Sequence, residues 1–104
     1  MEKTNDYSFE LSPLSAENIA SIIDYISNKL MNKKAANDII ELLYDKIKKI
    51  TYFPYSYPIY ENSVFKNEQN IRKANAKSFL IFFKIDENDK KIIIVAVVHS
   101  KTVK

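Results

Sequence analysis

The chain has 104 residues, the length of one domain, and a formal net charge of +3. It contains no Gly, no Cys and a single His, His99. These absences exclude Gly-rich nucleotide and phosphate loops, the Gly-x-Ser-x-Gly nucleophile elbow, disulfide frameworks, Cys-based zinc sites and thiol nucleophiles.

Tyr7 to Leu11 alternates, with Tyr7, Phe9 and Leu11 on one side and Ser8 and Glu10 on the other, which predicts a strand. Ser12-Pro13 then reads as a helix start, Ser12 as N-cap and Pro13 at the first helical position. The first helix carries Ile19, Ile22, Ile23, Ile26 and Leu30 on one stripe, with Glu17, Asn18, Ser21, Asp24 and Asn28 largely off it. It is expected to end near Met31, where Asn32 caps a second helix from Lys33 to Ile50. The stripe of that helix is Ala36, Ile39, Ile40, Leu43, Ile47 and Ile50. So short a connection makes the two helices antiparallel.

The aromatic segment Thr51–Tyr60 follows, where Pro54 and Pro58 argue against a helix. Phe53 is expected in the core, with Tyr52 and Phe53 folding back on the hairpin. Residues 61–69 read as a polar loop. Three strands are predicted at Asn70–Asn75, Ser78–Asp86 and Lys91–His99, the last two joined by Glu87-Asn88-Asp89-Lys90. The last strand is apolar on both faces and belongs inside the sheet. Strict alternation places His99 with Ile93, Val95 and Val97. The fold class is α+β, in the order β-α-α-β-β-β, a helical hairpin on a mostly antiparallel four-stranded sheet within one domain over residues 1–104. With no Gly, the turns are expected to rely on Asn, Asp, Pro and Ser.

Residues 1–12 lack the apolar core of a signal peptide, and Ile92 to Val98 is far short of the roughly 20 residues of a membrane span. A cytoplasmic protein with no membrane partner is expected. Its 15 Lys fit an acidic or nucleic-acid partner and equally a solvated surface. Asp86, Glu87 and Asp89 crowd one turn, where solvated charges are ordinary. One His and scattered acids offer no metal site, and no cofactor is expected.

Four stretches together resemble the RelE/ParE toxin superfamily of bacterial type II toxin–antitoxin systems. They are Leu11-Ser12-Pro13-Leu14-Ser15-Ala16; Ile22-Ile23-Asp24-Tyr25-Ile26 with Ala35-Ala36; Ile47 through Phe53-Pro54-Tyr55-Ser56; and Ile71-Arg72-Lys73 with Phe79–Asp86 and the closing Val98-His99. The resemblance implies a growth-arresting toxin neutralised by a cognate antitoxin, with a toxin–antitoxin hetero-oligomer as its inactive form. It further implies either ParE-like inhibition of DNA gyrase without catalysis or RelE-like cleavage of mRNA on the ribosome. A non-toxic interaction domain of the same fold is the third alternative. The long helical hairpin and the Phe53-Pro54 turn favour the ParE side.

If the chain is a nuclease, its candidate catalytic residues are Arg72, His99, Lys73, Lys77 and Lys101. Attack by a 2′-hydroxyl needs a base, an acid and cations on the scissile phosphate. Arg72 can clamp phosphate bidentately, or pair with an acidic neighbour. His99 has chemistry suited to proton transfer, or packs at a strand end. After His99 the chain lacks the Gly and Arg common in ParE-type tails and the Arg or Tyr of RelE-like nucleases.

Overall fold

The computed structural model describes residues 7–61 and 69–101. Strand β1 (Ser8–Leu11) leads into helix α1 (Pro13–Asp24), which loosens into one π-helical turn (Tyr25–Lys29) before helix α2 (Lys33–Tyr52). A 3₁₀ turn (Pro54–Ser56) follows, then β2 (Arg72–Ala76), β3 (Phe79–Asp86) and β4 (Lys91–His99). The sheet order is β1-β4-β3-β2, with β1 parallel to β4 and the other pairs antiparallel. The α+β architecture is the expected one, and β4 is interior as its two apolar faces require. Of the predicted polar loop, residues 62–68 lie outside the described residues.

The caps explain where the helices begin. Ser12 Oγ accepts from the Ser15 amide at 3.0 Å, and Asn32 Oδ1 accepts from the Ala35 amide at 2.9 Å, each meeting an amide that its helix leaves unpaired. Ser12 also fastens the helix to the sheet. Its amide donates to Ile94 O at 2.9 Å and its hydroxyl to Val95 O at 2.9 Å, just where β1 stops covering the edge of β4. Nearly two helical turns on, Asn18 Oδ1 accepts from the Val97 amide at 3.0 Å. The start of α1 thus replaces a strand along the second half of β4.

Both helices lie on one face of the sheet. Leu43, Ile47 and Ile50 of α2 are buried against Ala74, Ile81, Phe83, Ile92, Ile94 and Val97. Each such burial contributes on the order of 1.5–3 kcal/mol before entropy. The other face carries a smaller cluster of Ile71, Phe82, Val95 and Ala96, with Tyr60 lying over Phe82 at 4.9 Å between ring centroids.

Several expectations need correction. Ile40 is 45% exposed and Leu30 56% exposed, because each lies at the rim of its stripe and the sheet underlies only its centre. Phe53 is 58% exposed: α2 runs two residues past Ile50, and the chain turns so that Pro54 is buried in its place. Pro54 opens a 3₁₀ turn, since proline is tolerated at the first helical position. A bulge pairs Phe82 with Ala96 but Phe83 with Ile94. It shifts the alternation by one residue, so Val97 faces the helices with Ile92 and Ile94, while Val95 joins the opposite cluster. Left-handed backbone occurs at Met31, Asn70, Lys77 and Lys90, and only Asn70 is of an expected turn type.

Candidate functional site

The strand register decides which candidate residues can act together. Arg72 opens β2 opposite Phe83, whereas His99 closes β4 opposite Phe79. The two lie four residues apart along β3 and two strands apart across it, roughly 16 Å by strand geometry. Lys73 is on the sheet face opposite Arg72, its ammonium 5.5 Å from the Tyr60 ring centroid. Lys77 and Lys101 are exposed near the His99 end, and the Lys101 amide donates to His99 Nδ1 at 3.3 Å. The structure therefore groups His99, Lys77 and Lys101 at one end of the sheet and leaves Arg72 at the other.

Arg72 is held by aromatic residues rather than by an acid. Its Nη1 donates to Tyr57 O at 2.6 Å, and its guanidinium lies 5.1 Å from the Tyr55 ring centroid. Tyr55 belongs in turn to a cluster that sequence reasoning missed. Tyr55 and Tyr7 both donate their hydroxyls to Glu87 Oε2, the latter at 2.7 Å, while Lys90 Nζ donates to Glu87 Oε1 at 2.9 Å. These three hydrogen bonds hold the Glu87 carboxyl down to about 2, from an ordinary 4.5. The same bonds, with a smaller contribution from desolvation, push both phenols upward. Glu87, exposed as a turn charge is expected to be, also joins the β3–β4 hairpin to the residue before β1 and to the segment after α2. The spacing Tyr7…Tyr55…Glu87 holds no local signal of this, because the three meet only through the sheet order.

At the His99 end, the ring packs edge-on against Phe79 at 5.4 Å between centroids. Both line a cleft of about 560 Å³ whose other wall is Ile22, Tyr25, Ile26 and Leu30, with Ile39 of α2 behind. The π-helical turn shapes this wall: the Leu30 amide donates to Tyr25 O at 3.0 Å, a five-residue step that widens the helix. Tyr25 and Leu30 are exposed there, by 55% and 56%. An open apolar cleft with few polar groups suits a protein segment better than a small polar substrate. Among the described residues, no group of three or more acidic or His side chains could hold a metal ion. No helix among them is long and apolar enough to cross a membrane.

The comparisons with known proteins agree with the fold. A family model described as the ParE toxin of the type II toxin–antitoxin system parDE matches residues 9–103. A search of curated proteins finds no match. Among solved structures, a chain of the chromosomal ParDE toxin–antitoxin system of P. aeruginosa superposes with a TM-score of 0.71 at 13% identity, covering 92% of this chain and 98% of that one. A chain of the toxin–antitoxin complex RelBE2 of Mycobacterium tuberculosis superposes with a TM-score of 0.62 at 9% identity, covering 90% and 98%. At such identities the structural likeness shows a shared fold.

Proposed function

The chain belongs to the ParE toxin family of type II toxin–antitoxin systems, and from that premise we propose that it arrests growth by binding DNA gyrase, without chemistry of its own, until a cognate antitoxin covers it. The observation that carries the non-catalytic reading is the separation of Arg72 from His99. Their backbones lie roughly 16 Å apart by strand geometry, so Arg72 and His99 are not paired as a phosphate clamp and proton-transfer group would be in a compact nuclease centre. The bond from Arg72 to the Tyr57 carbonyl supports the same reading, since it occupies part of the fork that a phosphate would need.

The antitoxin is a protein segment with an apolar face, and the cleft beside the π-helical turn is the surface of matching chemistry. The test is induction of the gene alone, which is expected to arrest growth, and co-expression with the adjacent small gene, which is expected to restore it. The purified chain is then tested for inhibition of gyrase supercoiling and for ribosome-dependent mRNA cleavage. Inhibition without cleavage is the expected result, and cleavage lost on His99→Gln would overturn it.

A further inference from the structure

A second surface lies away from the cleft, where α2 passes beside β1. Asn37, Glu41, Tyr44, Lys48 and Tyr52 follow one another at steps of three and four residues, which makes them one seam along α2, roughly 22 Å long. All five are exposed. Phe9 of β1 meets Tyr44 edge-on at 6.4 Å between centroids, and Phe9, Tyr44, Lys48 and Tyr52 help to line a shallow groove of about 340 Å³ beside the seam. Ile40, exposed as well, lies four residues before Tyr44 on the same flank. The rings and Ile40 form an apolar strip that the core does not use.

The charges along this face are ordered. From Lys34 to Tyr52 the exposed acids are Asp38, Glu41 and Asp45, and the exposed bases are Lys34, Lys48 and Lys49, so the face carries no net charge. Lys34 takes up Asp38 at 3.3 Å. Asp45 and Lys49, one turn apart, share the flank away from β1. Glu41 and Lys48 are left on the seam, acid first and base two turns later. Neither makes an ion pair among the described residues, and the Lys48 ammonium lies 5.7 Å from the Tyr44 ring centroid. A balanced face gives a polyanion or a polycation no net attraction. A face that is acidic at one end and basic at the other matches itself once a second copy is laid across it antiparallel.

We propose that α2 pairs with α2 of a second copy of this chain, across a two-fold axis running between Tyr44 and Asp45. In an antiparallel pair centred there, Glu41 of each copy faces Lys48 of the other, and Asn37 faces Tyr52 at both ends. The two Tyr44 rings meet at the axis. The two-fold also brings the β1 sides of both copies together, so Ile40 of the second copy comes level with the groove between Tyr44 and Tyr52. One seam thus supplies the charge, the polar ends and the apolar filling that its own copy needs. A contact of one helix per copy is small for an interface, which makes the pair weak and dependent on concentration. The inference does not rest on gyrase being the target, since it is read from this surface alone.

The experiment is sedimentation equilibrium of the full chain over a concentration series reaching about 500 µM, where a monomer–dimer equilibrium with a Kd on the order of 10–100 µM is expected. Glu41→Lys and Lys48→Glu are each expected to weaken it about tenfold or more, since each sets like charges against one another twice in the pair. An equimolar mixture of the two variants is expected to regain a dimer holding one copy of each, because both facing pairs are then opposite in sign. Lys77→Glu makes the same charge change at the His99 end and is expected to leave the equilibrium unchanged. Circular dichroism melts check that the variants fold. A chain that stays monomeric throughout the series, or a mixture that associates no better than either variant alone, would overturn the proposal. So would a monomeric chain whose Glu41→Lys variant loses rescue by the antitoxin, which would give this face to the antitoxin instead. If gyrase inhibition fails while the dimer and its recovery in the mixture persist, the target reading falls and this one stands.

Discussion

Lys77 is the first of two residues linking β2 to β3, and it holds φ at 54°. A side chain there crowds the carbonyl that follows, at a cost of about 1–2 kcal/mol, part of which glycine recovers. Lys77→Gly is therefore expected to stabilise the fold by about 1 kcal/mol, read as a rise of roughly 4–8 °C in the thermal midpoint. Glu87 makes the complementary case. Its carboxyl is held down to about 2 in the folded chain against 4.5 ordinarily, so it stabilises the fold fully above about 4.5, and this contribution is lost as pH falls towards 2. Glu87→Gln is expected to flatten the thermal midpoint between pH 5 and pH 2 relative to the parent chain. An unchanged acid limb would show that the Tyr7–Glu87–Tyr55 bonds do not persist in solution. Neither residue was legible from the sequence. A lysine in a left-handed turn contradicts its own preference, and Glu87 finds its phenols only after strands far apart in the chain are brought together. Arg72 was legible as the chain's sole arginine, but its partners, a carbonyl and a ring, were not.

The elements themselves were largely readable, because Ser12-Pro13, Asn32 and the apolar periodicity act locally. The π-helical turn and the β4 bulge were not readable, since both answer to packing across elements. The bulge matters most, for it gives His99 and Val97 the helix-facing side and sends Val95 to the other. Ser12 shows how one polar residue serves two elements at once. It caps α1 and donates to Val95 O on the uncovered edge of β4. Ser12→Ala removes the cap and leaves that carbonyl without its hydroxyl partner. A loss of about 1–2 kcal/mol is expected in urea unfolding, with an unchanged slope. Asn18, which periodicity placed off the apolar stripe, does similar work at the Val97 amide.

At the scale of the whole molecule, the helical side carries two distinct surfaces, an apolar cleft at the His99 end and a shallow aromatic groove beside β1. In the proposed function the cleft is where the antitoxin seats. Leu30→Glu, a change at a 56% exposed position, is expected to keep growth arrest while weakening rescue by the antitoxin at least tenfold in the dose required. Arrest lost together with rescue would place the target on the cleft instead. The family was legible from ordered stretches spanning nearly the whole chain. Whether the candidate catalytic side chains come together was not, because that depends on strand register.

The most direct measurement is gyrase supercoiling with the purified chain, alongside Arg72→Lys and His99→Gln variants whose fold has been verified. Dose-dependent inhibition by all three, within a few-fold of one another, and relief by the antitoxin are predicted. No inhibition of gyrase, with ribosome-dependent mRNA cleavage that either substitution abolishes, would contradict the account.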